Sequence, residues 1–100
     1  MLTTVLAETL GTFFFVSVIL ASTSLKDALM VPLVIGLALT ISIYFTSKAS
    51  LGAMNPVVAL SLLLRGDLDL PTTAVYIVAE VLGAVLAFVW WKLVWGKKKV

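Results

Sequence analysis

Cysteine and histidine are both missing from this chain of 100 residues. The first absence excludes disulfides, thiolate metal sites and thiol nucleophiles, and the second removes the commonest metal ligand and general base. No cofactor and no metal is expected, and an enzyme is disfavoured. Charge is scarce too: 12% of the residues are charged, against roughly a quarter in ordinary soluble domains. The net charge is only +2, and the one basic cluster, Lys97-Lys98-Lys99, follows Trp90, Trp91 and Trp95. Lysines beside tryptophans mark a membrane–water boundary, not a nucleic-acid surface. What fills the chain is apolar, at 62% hydrophobic residues. An integral, multi-pass membrane protein with the lipid bilayer as its surroundings is expected.

Three apolar runs predict spans. The first, over 4–22, is about long enough to cross when helical. It is read as a span and not as a cleaved leader, because no positive charge precedes it and Glu8 interrupts its start. Ser22-Thr23-Ser24, Lys26 and Asp27 form a polar turn, and a second span follows over 28–46, with Pro32 in its first turn, where proline does little harm. Pro71 opens a third span over 72–95.

The segment between the second and third spans differs. Ser47 to Gly52 breaks the apolar pattern, and NPVVALSLLLR, from Asn55 to Arg65, would rise only about 15 Å as helix, half of a hydrocarbon core of roughly 30 Å. Asn55 suits an N-cap, Pro56 suits the first helical position, and Gly66 suits a terminator. The alternative is a helix lying on the membrane surface. Between Val57 and Leu64, however, Ser61 is the only polar residue, too few for an interfacial helix. A re-entrant segment at about 48–66 is expected, its unpaired N–H groups and positive dipole end aimed at the midplane. Irregular backbone at that depth needs a lumen or protein beside it. The expected fold is thus an all-α membrane protein of three transmembrane helices and one re-entrant half-helix, forming a single unit over 1–100.

Asn55 is able to cap its helix through the side-chain oxygen while its amide donors face a lumen. Glu8 and Glu80 are the only carboxylates within the spans. Transport chemistry is one reading of them, but a proton relay has little to be built from without histidine. The preferred reading is support: each holds the re-entrant loop by accepting backbone N–H bonds, or by donating if protonated. Gly11, Gly36 and Gly83, with Ala7, Ala79 and Ala87, are spaced to let helices approach closely. Tyr44 and Tyr76 read as interface or packing residues.

Taken together, Ala7-Glu8-Thr9-Leu10-Gly11-Thr12-Phe13, Gly36-Leu37-Ala38-Leu39-Thr40, Gly52-Ala53-Met54-Asn55-Pro56-Val57-Val58, Arg65-Gly66 and the run from Tyr76 to Ala84 fall in an order and spacing that resembles the major intrinsic proteins, the aquaporins and glycerol facilitators. The resemblance is to the first of that family's two inverted repeats, whose Asn-Pro-Ala half-helices meet end to end. It implies a passive channel for water or small neutral, glycerol-like solutes, with the pore between antiparallel copies and Asn55 at the midplane. Four such pairs, an octamer of chains, would imitate the family's tetramer. Pro56, Val57, Val58 and Ile35 fall at pore or filter positions by the same resemblance. The alternative is a non-conducting or complementary subunit that assembles with another channel chain of the family. Lysine placement bears on this: Lys48 and Arg65 lie on one side, Lys26, Lys92 and the Lys97 to Lys99 cluster on the other, a bias toward single insertion.

The chain also departs from the family pattern. Val57 replaces the usual alanine, the loop before Asn55 lacks one residue and its usual histidine, Glu80 stands where glutamine is common, and Val58 stands at the counterpart of a filter arginine.

Overall fold

The computed structural model describes residues 1–96, so the Lys97 to Lys99 cluster lies outside the described residues. Among the described residues four helices follow one another: α1 (Leu2–Ser22), α2 (Met30–Thr46), α3 (Pro56–Arg65) and α4 (Leu70–Val94). The described residues contain no strand. The apolar runs read at 4–22 and 72–95 become α1 and α4, of 21 and 25 residues, and both are long and apolar enough to cross a membrane. The second run forms a shorter helix than its apolar extent suggested. Asp27 Oδ1 accepts from the N–H groups of Leu29 and Met30 at 3.1 and 2.9 Å, drawing Ala28 and Leu29 into a turn. That leaves 17 residues in α2, about 25 Å of helix.

Side-chain chemistry sets the ends. After α1, the Thr23 and Ser24 hydroxyls donate back to the Ile19 and Leu20 carbonyls at 2.7 and 2.9 Å; the Leu20 carbonyl thereby gains a donor in place of the Ser24 N–H, which turns to Ala21. At α4, Asp69 is the N-cap, accepting from Thr72 N at 2.8 Å. The helix therefore begins one residue before Pro71, which sits harmlessly in its first turn.

α1 is the centre of the packing: α2 and α4 each pack against it, and α3 packs against α4. The α1–α4 contact runs along Ala79, Gly83 and Ala87, all buried. At Gly83 a methyl group would lie 2.5 Å from the Thr9 carbonyl oxygen and 3.0 Å from Phe13 N, so these backbones touch at a distance only glycine permits. Gly11 similarly leaves room for Met54. Gly36 does not behave this way. It has open space around it, so the close approach read from its sequence position is not made among the described residues.

Burial is inverted relative to a water-soluble protein. Apart from Met54, the buried side chains are small or carry a polar group, among them Ala7, Glu8, Thr12, Ser42, Ala59, Thr73 and Glu80, while Leu6, Leu10, Leu37, Leu64, Val78 and Leu93 point outward. Small residues pack the helices and large apolar ones remain for lipid or partner chains.

Candidate functional site

The connection from α2 to α3 has almost no regular structure, yet Gly52, Ala53 and Met54 are buried. Buried backbone must place its polar groups, and here side chains of α1 and α4 receive them. Thr4 Oγ1 donates to the Ala49 carbonyl at 2.8 Å, and the Tyr76 hydroxyl accepts from Leu51 N at 2.9 Å. Glu8 is the hub. Its Oε2 accepts from Ser50 Oγ at 2.5 Å and its Oε1 from Met54 N at 3.1 Å, while Ser50 Oγ also accepts from Gly52 N at 3.1 Å.

Two residues of the turn take left-handed backbone angles, Gly52 at φ 66° and Met54 at φ 55°. Glycine adopts this conformation freely, whereas for methionine it is strained by roughly 1–2 kcal/mol. The strain is held by what Met54 touches. Its side chain is buried in the space Gly11 leaves, with Thr12 Oγ1 3.8 Å from the sulfur, and its N–H is fixed by Glu8.

The bend at Met54 delivers Asn55 in extended conformation to the start of α3. There Asn55 Oδ1 accepts from Val57 N at 2.9 Å, and Pro56 takes the first helical position. Asn55 is exposed, as are Val57 and Val58, while Ala59 on the opposite side is buried with Ala53 and Tyr76. At the other end Gly66, at φ 93°, reverses the chain, and Asp67 pairs with Arg65. The hydrogen bond and charge of Asp67 push the Arg65 guanidinium further up. Asp69, bonded by Thr72, is held below the usual carboxylate range.

The residues singled out from sequence occupy different places. Glu8 lies under the turn. Glu80 is 1% exposed on α4 beside Glu8, with the Asn55 N–H nearby but not in bonding geometry, and neither carboxylate oxygen has a hydrogen-bond partner among the described residues. Ile35 is half-buried on α2, which makes no contact with α3 among the described residues, so Ile35 and Val58 are not neighbours within one chain. Sequence reasoning missed Tyr76, Thr4 and Ser50. For Tyr76 a signal existed: it stands four residues before Glu80, on the same helical face.

The family model for "Major intrinsic protein" matches residues 1–99. The chain belongs to the major intrinsic protein family. As a member of this family of transport proteins it is an integral membrane protein and not an enzyme. It is 37% identical over 84 residues to "Glycerol uptake facilitator protein-like 6" of Lactiplantibacillus plantarum, a match covering 82% of this chain and 39% of that protein. The chain therefore spans well under half the length of this major intrinsic protein relative. No solved structure matches it.

Proposed function

We propose that this major intrinsic protein forms half of a passive channel for small neutral solutes. In this reading α1, α2 and α4 cross the bilayer, and the segment at about 48–66 re-enters, leaving α3 to end at the midplane. The carrying observation is the fixed start of α3. A ten-residue helix opened by Asn55 and Pro56 is approached through a turn whose backbone groups are held by Glu8, Tyr76 and Thr4. Non-helical backbone at membrane depth is tolerated only under such conditions. Among the described residues α3 packs on α4 and on no other helix, leaving Asn55, Val57 and Val58 exposed for a lumen. The second half-helix comes from an antiparallel copy, as in transporters built from inverted repeats. Ile35 and Val58, which do not meet within one chain, then form each constriction from two. Four such pairs make an octamer of chains by analogy with the family. The relative's printed name supports glycerol-sized solutes over water alone.

The second reading, a complementary subunit for another channel chain, is favoured by one observation. In the sequence, Lys26, Lys92 and the Lys97 to Lys99 cluster outnumber Lys48 and Arg65 on the other side, a bias toward single insertion. Solute flux into vesicles containing only this chain separates the two. Glycerol entry above lipid background supports the antiparallel pore. Background flux that rises only when a second channel chain is added supports the subunit.

A further inference from the structure

Two contacts fix which part of α4 faces the hub of the turn. Tyr76 meets Leu51 N on one side, and Gly83 meets the Thr9 carbonyl on the other. Glu80 lies between them, one turn from each, and so faces Glu8 on α1. The charged and titratable groups around Glu80 are few. α1 supplies Glu8, α4 itself supplies the Tyr76 phenol, and the turn supplies the neutral Asn55 N–H and the Ser50 hydroxyl already given to Glu8. Among the described residues no lysine or arginine acts on Glu80.

The bonding capacity of this pair does not close with two ionised carboxylates. Glu8 has both oxygens engaged as acceptors, one by Met54 N and one by Ser50 Oγ. Glu80 is as buried as Glu8, and among the described residues neither of its oxygens has a donor in bonding geometry, the Asn55 N–H lying near without completing a bond. An ionised carboxylate is an acceptor only, whereas a carboxylic acid is also a donor, and the second lone pairs of Glu8 remain to receive it. Two unpaired negative charges in contact away from water are costly on both counts of desolvation and repulsion.

We infer that Glu8 and Glu80 share one proton, with Glu80 donating to Glu8, and that this pair is a proton-binding site that positions the turn carrying Asn55. The proton is the one group that lets Glu8 keep both of its loop bonds while Glu80 stays buried. Removing it sets two carboxylates against each other directly beneath Met54, whose strained backbone depends on the Glu8 bond. The site thus deepens the channel reading, since it couples proton occupancy to the position of Asn55, but it rests on the carboxylate geometry and not on conduction.

Infrared spectroscopy and amide hydrogen exchange on the full chain in lipid vesicles test it together. The other carboxylates Asp27, Asp67 and Asp69 are exposed or partnered by donors, so a protonated-carboxyl band at neutral pH belongs to the pair. Wild type is expected to show that band, and to lose it on alkaline titration together with several-fold loss of protection at the Met54 amide, after correction for the intrinsic rate. Glu80→Gln, whose amide donates without titrating, is expected to lack the band and keep Met54 protected throughout. No band in the wild type overturns the shared proton. A Met54 amide indifferent to loss of the band, or an alkaline loss that persists in Glu80→Gln, overturns its positioning role. A chain that passes no solute yet gives the expected signals supports the pair while counting against the channel.

Discussion

Glu8 takes the backbone N–H of Met54 at 3.1 Å across 46 residues of sequence. The bond joins the middle of the first helix to the residue that aims Asn55, and Ser50 occupies the other oxygen of the same carboxylate. Removing the carboxylate leaves the buried Met54 N–H without a partner, at about 1–3 kcal/mol, and frees the half-buried Ser50 hydroxyl. Glu8→Ala should therefore release the turn, and Glu8→Gln, which keeps one acceptor oxygen, should fall between it and wild type. Exchange protection at Met54, measured in detergent micelles, should rank the three in that order; equal protection would remove Glu8 from its supporting role.

The three span glycines give a graded steric prediction. At Gly83 an added methyl meets the Thr9 carbonyl, which is backbone and does not swing away, so Gly83→Ala should separate α1 from α4 at a cost of about 1–3 kcal/mol. At Gly11 it meets the Met54 side-chain end at 2.5 Å, which is flexible, so Gly11→Ala should cost less but disturb the turn. Gly36→Ala meets nothing and should raise the single chain's stability slightly, by about 0.5–1 kcal/mol, through helix propensity. If Gly36→Ala instead weakens only the oligomer, measured by crosslinking, then α2 presents this glycine to a partner chain.

These differences also mark what the sequence made legible. Long apolar runs give α1 and α4 because hydrocarbon length is a local property, and Asn55, Pro56 and Gly66 punctuate α3 because caps depend on adjacent residues. The support of the turn was not legible in the same way. Tyr76 to Leu51 and Thr4 to Ala49 are pairings across 25 and 45 residues, and nothing in either neighbourhood announces them. The positive φ of Met54 was hidden for a related reason, since methionine is not a residue that advertises a left-handed turn. Gly36 shows the converse: a small residue at packing spacing that meets no neighbour among the described residues.

Outside the membrane, Asp69 supplies a pH dependence with a definite sign. Its carboxylate is held below the usual range by the bond from Thr72 at the start of α4. The stabilisation is thus complete above the ordinary carboxylate pKa and is lost as pH falls through the depressed value. Asp69→Asn should keep the cap and abolish this acid dependence, and Asp69→Ala should lose the cap at every pH. Fraying of the first turn of α4, followed by amide exchange at Thr72, reads the difference.

For the proposed pore, Asn55→Asp is the sharpest test of a midplane role. Aspartate caps a helix as well as asparagine does, so insertion and α3 should survive. The substitution replaces amide donors with negative charge where two positive helix ends would otherwise repel cations. Vesicles bearing the variant should admit potassium that wild type excludes. A variant that inserts normally and leaves cation conductance unchanged places Asn55 away from the pathway.

The constriction itself is tested at Val58. Val58 is exposed beside the start of α3, Ile35 is half-buried on α2, and both are aliphatic. Contributed from opposed chains, they would build a mouth with little bulk, no fixed charge and few groups to replace water's hydrogen bonds. Such a mouth should pass neutral solutes of glycerol size while carrying water only modestly, because apolar constrictions tend to dewet. Val58→Arg places a guanidinium in each mouth and removes apolar surface, so glycerol flux should fall to a small fraction of wild type. Stopped-flow light scattering on vesicles measures both solutes at once. Rapid water flux with glycerol excluded in wild type, or glycerol flux untouched in Val58→Arg, would assign the filter to other residues.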